Sequence, residues 1–116
     1  MIYAAIKGTK YIASAAGEIY RRTRTRYRPV KPFDNGIGYR RVDLYTEANG
    51  TKKTLLVHRL VWEAFNGPIP EGLEINHKNR NRADNRLENL ELLTHLENMR
   101  HSARLRREER AKNELQ

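Results

Sequence analysis

Apolar and polar positions alternate through much of the first half of the chain, and a period of two is typical of strands with one buried face. Residues 10–14 and 18–21 are two such runs, separated by small residues at 15–17, so they predict a hairpin. A further alternating run covers residues 39–45. Asn49-Gly50 follows it as a strong turn signal and predicts pairing with residues 53–57.

The period becomes helical after residue 57, and the apolar positions that show it are Leu60, Val61, Ala64 and Phe65. Gly67-Pro68 predicts the end of this helix. His58, at its start, has two interpretations: a ligand or DNA contact, or a histidine packed against the following segment. The second is favoured, because nothing in the sequence places His58 near the other polar candidates.

Residues 73–98 combine two short apolar runs, at 73–75 and 90–93, with a polar loop between them and a helix start after them. Thr94 and Glu97 have the spacing of a capping box, which predicts a helix with Thr94 as its N-cap. In this arrangement Asn76 and His77 leave the first strand and Asn98 enters the helix. An imidazole and two amide oxygens can therefore converge on one polar site.

The helix that follows Thr94 continues into a charged C-terminal segment. Leu96, Met99 and Ala103 are spaced as an inward-facing stripe. Residues 104–110 are nearly all charged, and their mixed signs at three- and four-residue spacing support a solvated helix. The basic side chains in this segment are equally suited to lying along DNA.

Composition narrows the class of protein. With 116 residues, 38% of them hydrophobic, one small domain with extensions is expected. A formal net charge of +9 and a pI of about 10.2 favour a polyanionic partner, nucleic acid above all. The absence of cysteine excludes disulfides and thiolate zinc sites, and no run is apolar enough for a signal peptide or membrane span. A soluble cytoplasmic protein with no membrane partner is the expectation.

One basic stretch places arginine at every second position, and we call its members the tip arginines: Arg22, Arg24, Arg26 and Arg28. If this stretch is extended, the four guanidinium groups lie on one face and suit a phosphate backbone. The alternative is a disordered basic loop with no fixed face, and the prolines that follow give it equal weight. Either form raises affinity for DNA.

Several short motifs are similar to those of the HNH endonucleases of the phage and intron-encoded homing type. They are Val57-His58-Arg59-Leu60-Val61, Asn76-His77, Asn85, Asn89-Leu90 and Thr94-His95-Leu96-Glu97-Asn98-Met99. The resemblance implies a ββα-metal finger that hydrolyses DNA phosphodiester bonds. We therefore expect an α+β fold with a β-rich DNA-contacting region at 1–56, the HNH nuclease core at 57–103 and a charged, basic C-terminal helical tail at 104–116.

The resemblance also assigns roles to single residues. Asn76 and Asn98 occupy its metal-ligand positions, and Asn89 occupies the position that orients the histidine. Outside the resemblance, His95 is an alternative ligand, and its position at the helix start suits a phosphate contact equally well. His77 occupies the general-base position, which suits an imidazole at neutral pH. The expected cofactor is a divalent metal, Mg²⁺ first and Mn²⁺ second. The loop residues expected to contact DNA are Lys78, Arg80 and Arg82.

One departure affects the metal site. Many relatives carry aspartate where this chain has Asn76, so both predicted protein ligands are neutral amides. Such a site binds Mg²⁺ weakly unless substrate phosphates and waters complete the octahedron. We therefore expect metal binding to depend on DNA.

The leading hypothesis is a metal-dependent endonuclease that nicks or cleaves double-stranded DNA, acting as a monomer or homodimer, in the host bacterial cytoplasm if it is phage-encoded. The alternative from another class is a catalytically silent DNA-binding protein that keeps the finger as a structural module. An RNA-binding protein is a third hypothesis, and the ordered Asn-His-Asn set speaks against it.

Overall fold

The computed structural model describes residues 2–47 and 49–114, which form nine strands and two α-helices. The strands are β1 (Tyr3–Ala5), β2 (Tyr11–Ser14), β3 (Ile19–Arg22), β4 (Tyr27–Pro29), β5 (Phe33–Asp34), β6 (Arg40–Tyr45), β7 (Lys52–Leu56), β8 (Leu73–His77) and β9 (Leu90–Thr94). The helices are α1 (Val57–Asn66) and α2 (His95–Glu114). This order confirms the α+β class and the β-rich N-terminal half. Neither helix in the described ranges is long and apolar enough to cross a membrane.

The strands pair as three antiparallel sheets, with orders β1-β2-β3-β4, β5-β6-β7 and β8-β9. The predicted hairpins at β2–β3, β6–β7 and β8–β9 are all present. In the second sheet Val42 lies opposite Leu55, so the alternating run turns one apolar side toward the core as predicted. Gly67 ends α1 with a φ of 84°, and its N–H donates to the carbonyl of Glu63.

The core lies where α1 packs against the first two sheets. Its largest fully buried side chains include Leu44, Val42 and Val61. Burying side chains of this kind contributes about 1.5–3 kcal/mol each, so this small cluster fixes α1 across the sheets. His58 stands at the start of α1 and is carried with it to the edge of the β8–β9 hairpin.

The turn between β2 and β3 docks on the polar loop that joins β8 to β9. A Cβ on Gly17 would lie 2.6 Å from the carbonyl carbon of Asn85, and the φ of Gly17 is +88°. Beside it, the N–H of Leu87 donates to the carbonyl of Ala15 at 2.8 Å. Only glycine permits so close an approach in that backbone conformation. The N-terminal sheet therefore holds the loop in place through its β2–β3 turn.

Of the two alternatives left open for the tip arginines, the single extended face is excluded. β3 ends at Arg22 and β4 begins at Tyr27, so the stretch reverses direction instead of running on as one strand. The Thr23 N–H and hydroxyl both donate to the carbonyl of Arg26, each at 2.7 Å, and these local bonds close the turn. The tip arginines instead surround the end of an exposed hairpin, where Arg21 lies opposite Arg28.

The predicted inward stripe on α2 is also wrong in two of its three members. Leu96 and Met99 are each 55% exposed, whereas Ala103 is half-buried. The more buried face carries Asn98 and Ser102, because α2 packs its first turns across the polar ends of β8 and β9. The helix is continuous from His95 to Glu114, so it runs through the expected boundary at 103/104 without a break.

Candidate active site

The β8–β9 hairpin and the start of α2 position the polar residues of the site. Asn76 and His77 are the last residues of β8, paired with Glu91 and Leu90 across the hairpin, and both are buried. The predicted capping box is present: the Thr94 N–H donates to Glu97 Oε1 at 3.0 Å, and the Glu97 N–H donates to Thr94 Oγ1 at 3.1 Å. This cap starts α2 beside Leu73, the first residue of β8, and Asn98 of the first turn reaches Glu74 on that strand.

Asn76, His77 and Asn98 line a single cleft of about 340 Å³. The other residues of its lining are Tyr39, Ile75, Arg80, Arg82 and Ser102. The structure thus brings together the imidazole, the two amides and two of the three loop cations selected from the sequence. The third, Lys78, is exposed outside this lining.

Both amides in the cleft are held by carboxylates. Asn76 Nδ2 donates to Glu91 Oε1 at 3.0 Å, and Asn98 Nδ2 donates to Glu74 Oε1 at 2.6 Å. Because each NH₂ group is engaged, each amide oxygen is left to accept. Oxygen atoms of this kind are what hard divalent cations bind. Within residues 2–47 and 49–114, no three histidine or carboxylate side chains are grouped to hold a metal, so amide oxygens are the candidate ligands.

Asn85 is the residue that fixes His77. Its side-chain oxygen lies 2.8 Å from His77 Nε2, and both residues are buried. An amide oxygen can only accept, so this contact places the proton of a neutral His77 on Nε2. Nδ1 is then the ring nitrogen that can take up a proton.

Asn89 forms no hydrogen bond with His77, which differs from the role expected for it. Its Nδ2 donates to Asn79 Oδ1 at 3.0 Å and to the carbonyl of Asp84 at 2.9 Å, and its Oδ1 accepts from the Asn79 N–H at 3.1 Å. Asn89 directly precedes β9, and its side chain points back across the loop and ties the loop's two ends together. Its effect on His77 is therefore indirect.

A salt bridge closes the same loop. Arg86 Nε donates to Asp84 Oδ1 at 2.8 Å, and this guanidinium holds the pKa of the Asp84 carboxyl well below its usual range. The loop is therefore a set of hydrogen bonds around Asn79, Asp84 and Asn89, and it presents Asn85 to the histidine.

His58 packs directly against His77. The ring centroids are 5.1 Å apart with an edge-to-face tilt, and Tyr39 lies 5.4 Å from His58 on another side. Burial, with a smaller effect from His77, lowers the pKa of His58 to about 4, so it is neutral at physiological pH. The structural interpretation of His58 agrees with this packing against the finger. Its closeness to His77 had no signal in the sequence.

The remaining sequence candidates occupy different places. His95 is 78% exposed in its side chain and lies beside Glu74 with Nδ1 3.4 Å from Oε1, outside the cleft lining. Arg82 is fixed at the cleft, since it donates to the carbonyl of Ile37 at 2.7 Å and its guanidinium carbon lies 4.7 Å from the centre of the Tyr39 ring. Arg80 reaches Glu109 of α2 at 3.4 Å.

Three residues at or beside the cleft were not identified from the sequence: Glu74, Glu91 and Tyr39. The glutamates look like ordinary solvent-facing positions in a half-exposed hairpin. One signal was available for Glu91: residues paired across a hairpin share a face, and the register opposite Asn76 follows once β8 and β9 are aligned. Tyr39 is brought in from β5–β6 by tertiary packing alone.

Comparison with known proteins agrees with this geometry. Residues 55–100 match the family described as HNH endonuclease. This HNH segment contains α1, β8, β9 and the first turns of α2, which supply His58, Asn76, His77 and Asn98. Tyr39 lies outside it.

Two relatives and one solved structure resemble the chain beyond the HNH segment. The SPbeta prophage-derived protein YosQ of Bacillus subtilis strain 168, assigned by name to the HNH homing endonucleases, is 36% identical over 78 residues, 67% of this chain and 44% of that protein. The uncharacterized gene 5.3 protein of Enterobacteria phage T3 is 41% identical over 59 residues, 51% of this chain and 58% of that protein. The structure describing DNA binding and cleavage by the HNH homing endonuclease I-HmuI superposes with a TM-score of 0.78 and 32% identity, covering 89% of this chain and 58% of that one. The chain thus spans about half the length of these relatives.

Proposed function

We propose that this protein is a metal-dependent endonuclease that hydrolyses phosphodiester bonds in double-stranded DNA. The observation that carries the proposal is the single cleft that His77, Asn76 and Asn98 line together with Arg80 and Arg82. The cleft offers a proton acceptor, free amide oxygens and cations to the same small volume. Its residues come mostly from the segment that matches the HNH endonucleases.

His77 acts as the general base. Nδ1 takes a proton from the water that attacks phosphorus opposite the leaving 3′ or 5′ oxygen, while Nε2–H stays bonded to Asn85. The bond to Asn85 keeps the ring from rotating and stabilises the imidazolium that forms, since Nε2–H donates more strongly from the charged ring. His58 remains neutral beside it and adds no like charge to oppose this step.

The donor set fits a hard divalent cation. The amide oxygens of Asn76 and Asn98 would hold it, with Mg²⁺ the proposed ion and Mn²⁺ the proposed substitute. When bound, it would supply Lewis acidity toward the phosphate and the leaving oxygen. With neutral protein ligands, the phosphate itself must contribute to holding the ion.

Arginine side chains at two places on the molecule bind the DNA. Arg80 and Arg82 stand at the cleft, and Arg82 is preorganised by its contacts with Ile37 and Tyr39. The tip arginines lie on the β3–β4 hairpin of the N-terminal sheet. Because that sheet docks on the catalytic loop through Gly17, a phosphate contact at the hairpin is rigidly related to the cleft. Similarity to prophage and phage proteins supports the host bacterial cytoplasm as the setting.

The proposal is tested by incubating the protein with supercoiled plasmid in Mg²⁺, in Mn²⁺ and in EDTA. Conversion to open-circular or linear DNA with either metal, and none in EDTA, is the expected result; the product form separates nicking from double-strand cleavage. A catalytically silent DNA-binding protein is the second candidate, favoured by the neutral amide at Asn76. It predicts a gel shift of the plasmid with no strand break under any of the three conditions.

A further inference from the structure

We propose that Glu74 and Glu91 are positioning residues for the metal site, where they orient the amide oxygens of Asn98 and Asn76 and supply the negative charge that those neutral ligands lack. This inference rests on the proposed metal-dependent function. It concerns two carboxylates that do not line the cleft themselves.

Geometry supports the orienting role. The nitrogen and oxygen of an amide share one carbon, so a bond that fixes Nδ2 also fixes where Oδ1 points. Glu91 lies opposite Asn76 across the hairpin and accepts from its Nδ2 at 3.0 Å. Glu74 lies two residues before Asn76, on the same face of β8, and accepts from Asn98 Nδ2 on α2 at 2.6 Å. Two independent bonds thus set two oxygens toward one cleft.

Charge supports the second role. An N–H···carboxylate bond is charge-assisted, and it draws electron density toward the amide oxygen, which makes that oxygen a better ligand for a hard cation. Glu74 and Glu91 are both half-buried, so solvent screens them less than it would screen exposed carboxylates. The negative charge therefore lies on two carboxylates that are hydrogen-bonded to the ligand amides, in place of an aspartate at position 76.

The competing explanation is that these bonds only hold the hairpin and α2 together. Glu91 does join the two strands, and Glu74 joins β8 to α2. A purely structural role predicts a loss of stability with no change in the metal affinity of the folded protein. Metal affinity, measured apart from cleavage, separates the two explanations.

The experiment uses His77→Ala protein, which keeps both amides but cannot cut, bound to duplex DNA. Binding of Mn²⁺ to this complex is followed by electron paramagnetic resonance, and thermal melting confirms that each variant is folded. Glu91→Gln and Glu74→Gln remove one negative charge each while keeping side-chain size. Glu71→Gln, at an exposed glutamate in the turn before β8, is the matched control for the change in net charge.

We expect Glu91→Gln and Glu74→Gln each to weaken Mn²⁺ binding by about 10-fold, the lower end of the range for groups that support a metal ligand, and Glu71→Gln to leave it unchanged. Alanine at either position removes the orienting bond as well as the charge, so it should weaken binding further. If both glutamine variants bind Mn²⁺ like the control, the inference is wrong while the metal-dependent function stands. If the parent complex binds no Mn²⁺ at all, both proposals fail.

The orienting bond itself provides a second test that does not depend on the stability of a single variant. An ionised aspartate at position 76 has no N–H to donate to Glu91, so in Asn76→Asp protein there is no orienting bond to lose. Glu91→Ala should therefore weaken Mn²⁺ binding more when residue 76 is asparagine than when it is aspartate. An equal loss in both backgrounds would overturn the orienting role of Glu91.

Discussion

Asn85 is expected to control the rate of DNA cleavage through its bond to His77. Asn85→Ala removes the acceptor 2.8 Å from His77 Nε2 and leaves a buried N–H without its partner. An unpaired buried polar group costs about 1–3 kcal/mol. That cost grows as the ring becomes charged in the transition state, so it appears mainly in kcat. At about 1.4 kcal/mol for each factor of ten, we expect kcat to fall roughly 10- to 100-fold.

The assay is single-turnover cleavage of plasmid at saturating protein, with DNA binding followed separately by fluorescence anisotropy. Binding should be unchanged, because Asn85 is buried and does not line the cleft. Asn85→Asp keeps an accepting oxygen and should retain most of the rate. Loss of the rate in Asn85→Ala and its recovery in Asn85→Asp would distinguish orientation of His77 from general damage to the loop.

Asn89→Ala tests whether Asn85, and not Asn89, orients His77. It removes three hydrogen bonds within the loop, and at about 1 kcal/mol each the free energy of unfolding should fall by roughly 3 kcal/mol. Its kcat, measured where the protein is folded, should fall less than that of Asn85→Ala. The opposite pattern, a full rate in Asn85→Ala and a lost rate in a stable Asn89→Ala, would return the orienting role to Asn89.

Three further predictions follow from other contacts. Replacing all four tip arginines by glutamine should flatten the plot of log affinity against log salt by up to about 0.9 for each arginine that neutralises a phosphate of duplex DNA, and an unchanged slope would assign them to solvent. Burial lowers the pKa of His58 from 6.5 to about 4, so its contribution to stability is complete above pH 6.5 and is lost as pH falls toward 4. Over this range the free energy of unfolding, measured with urea, should fall by up to roughly 3 kcal/mol more for the wild type than for His58→Phe. Gly17→Ala should lower the unfolding free energy by about 1–3 kcal/mol and also slow cleavage, since its Cβ would meet the Asn85 backbone at 2.6 Å; an unaffected rate would argue against rigid coupling of the sheet to the catalytic loop.

The parts of the fold that could be predicted from the sequence are those fixed by local chemistry. The Asn49-Gly50 hairpin, the end of α1 at Gly67 and the Thr94–Glu97 cap each depend on residues within a few positions of one another. The meeting of Asn76, His77 and Asn98 follows from the same local elements in order. The resemblance to the HNH endonucleases pointed to the same residues, and comparison confirmed that family for residues 55–100.

The parts that could not be predicted depend on contacts between distant segments. Leu96 and Met99 have the spacing of a buried stripe, but α2 is oriented by its polar contact with the hairpin and leaves them exposed. The approach of His58 to His77 depends on how α1 packs across the sheets. Alternation alone did not reveal that Thr23 would close a turn within the basic stretch.

The selection of Asn85 over Asn89 shows the same limit at the scale of one side chain. Both asparagines lie in the loop before β9 and both are buried. Which of them faces His77 is decided by the path of the loop, which Gly17 and Ala15 hold from the N-terminal sheet. That path is a tertiary property.

His77 is proposed as the base in a DNA-cleaving cleft. The most direct measurement compares wild-type and His77→Ala protein in one experiment, with the plasmid nicking rate in Mg²⁺ and the affinity for the same DNA determined on each sample. We expect His77→Ala to lose cleavage while its DNA affinity stays within about twofold, because the substitution removes the proton acceptor and leaves the arginines in place. Cleavage by purified His77→Ala protein at the wild-type rate would contradict this proposal.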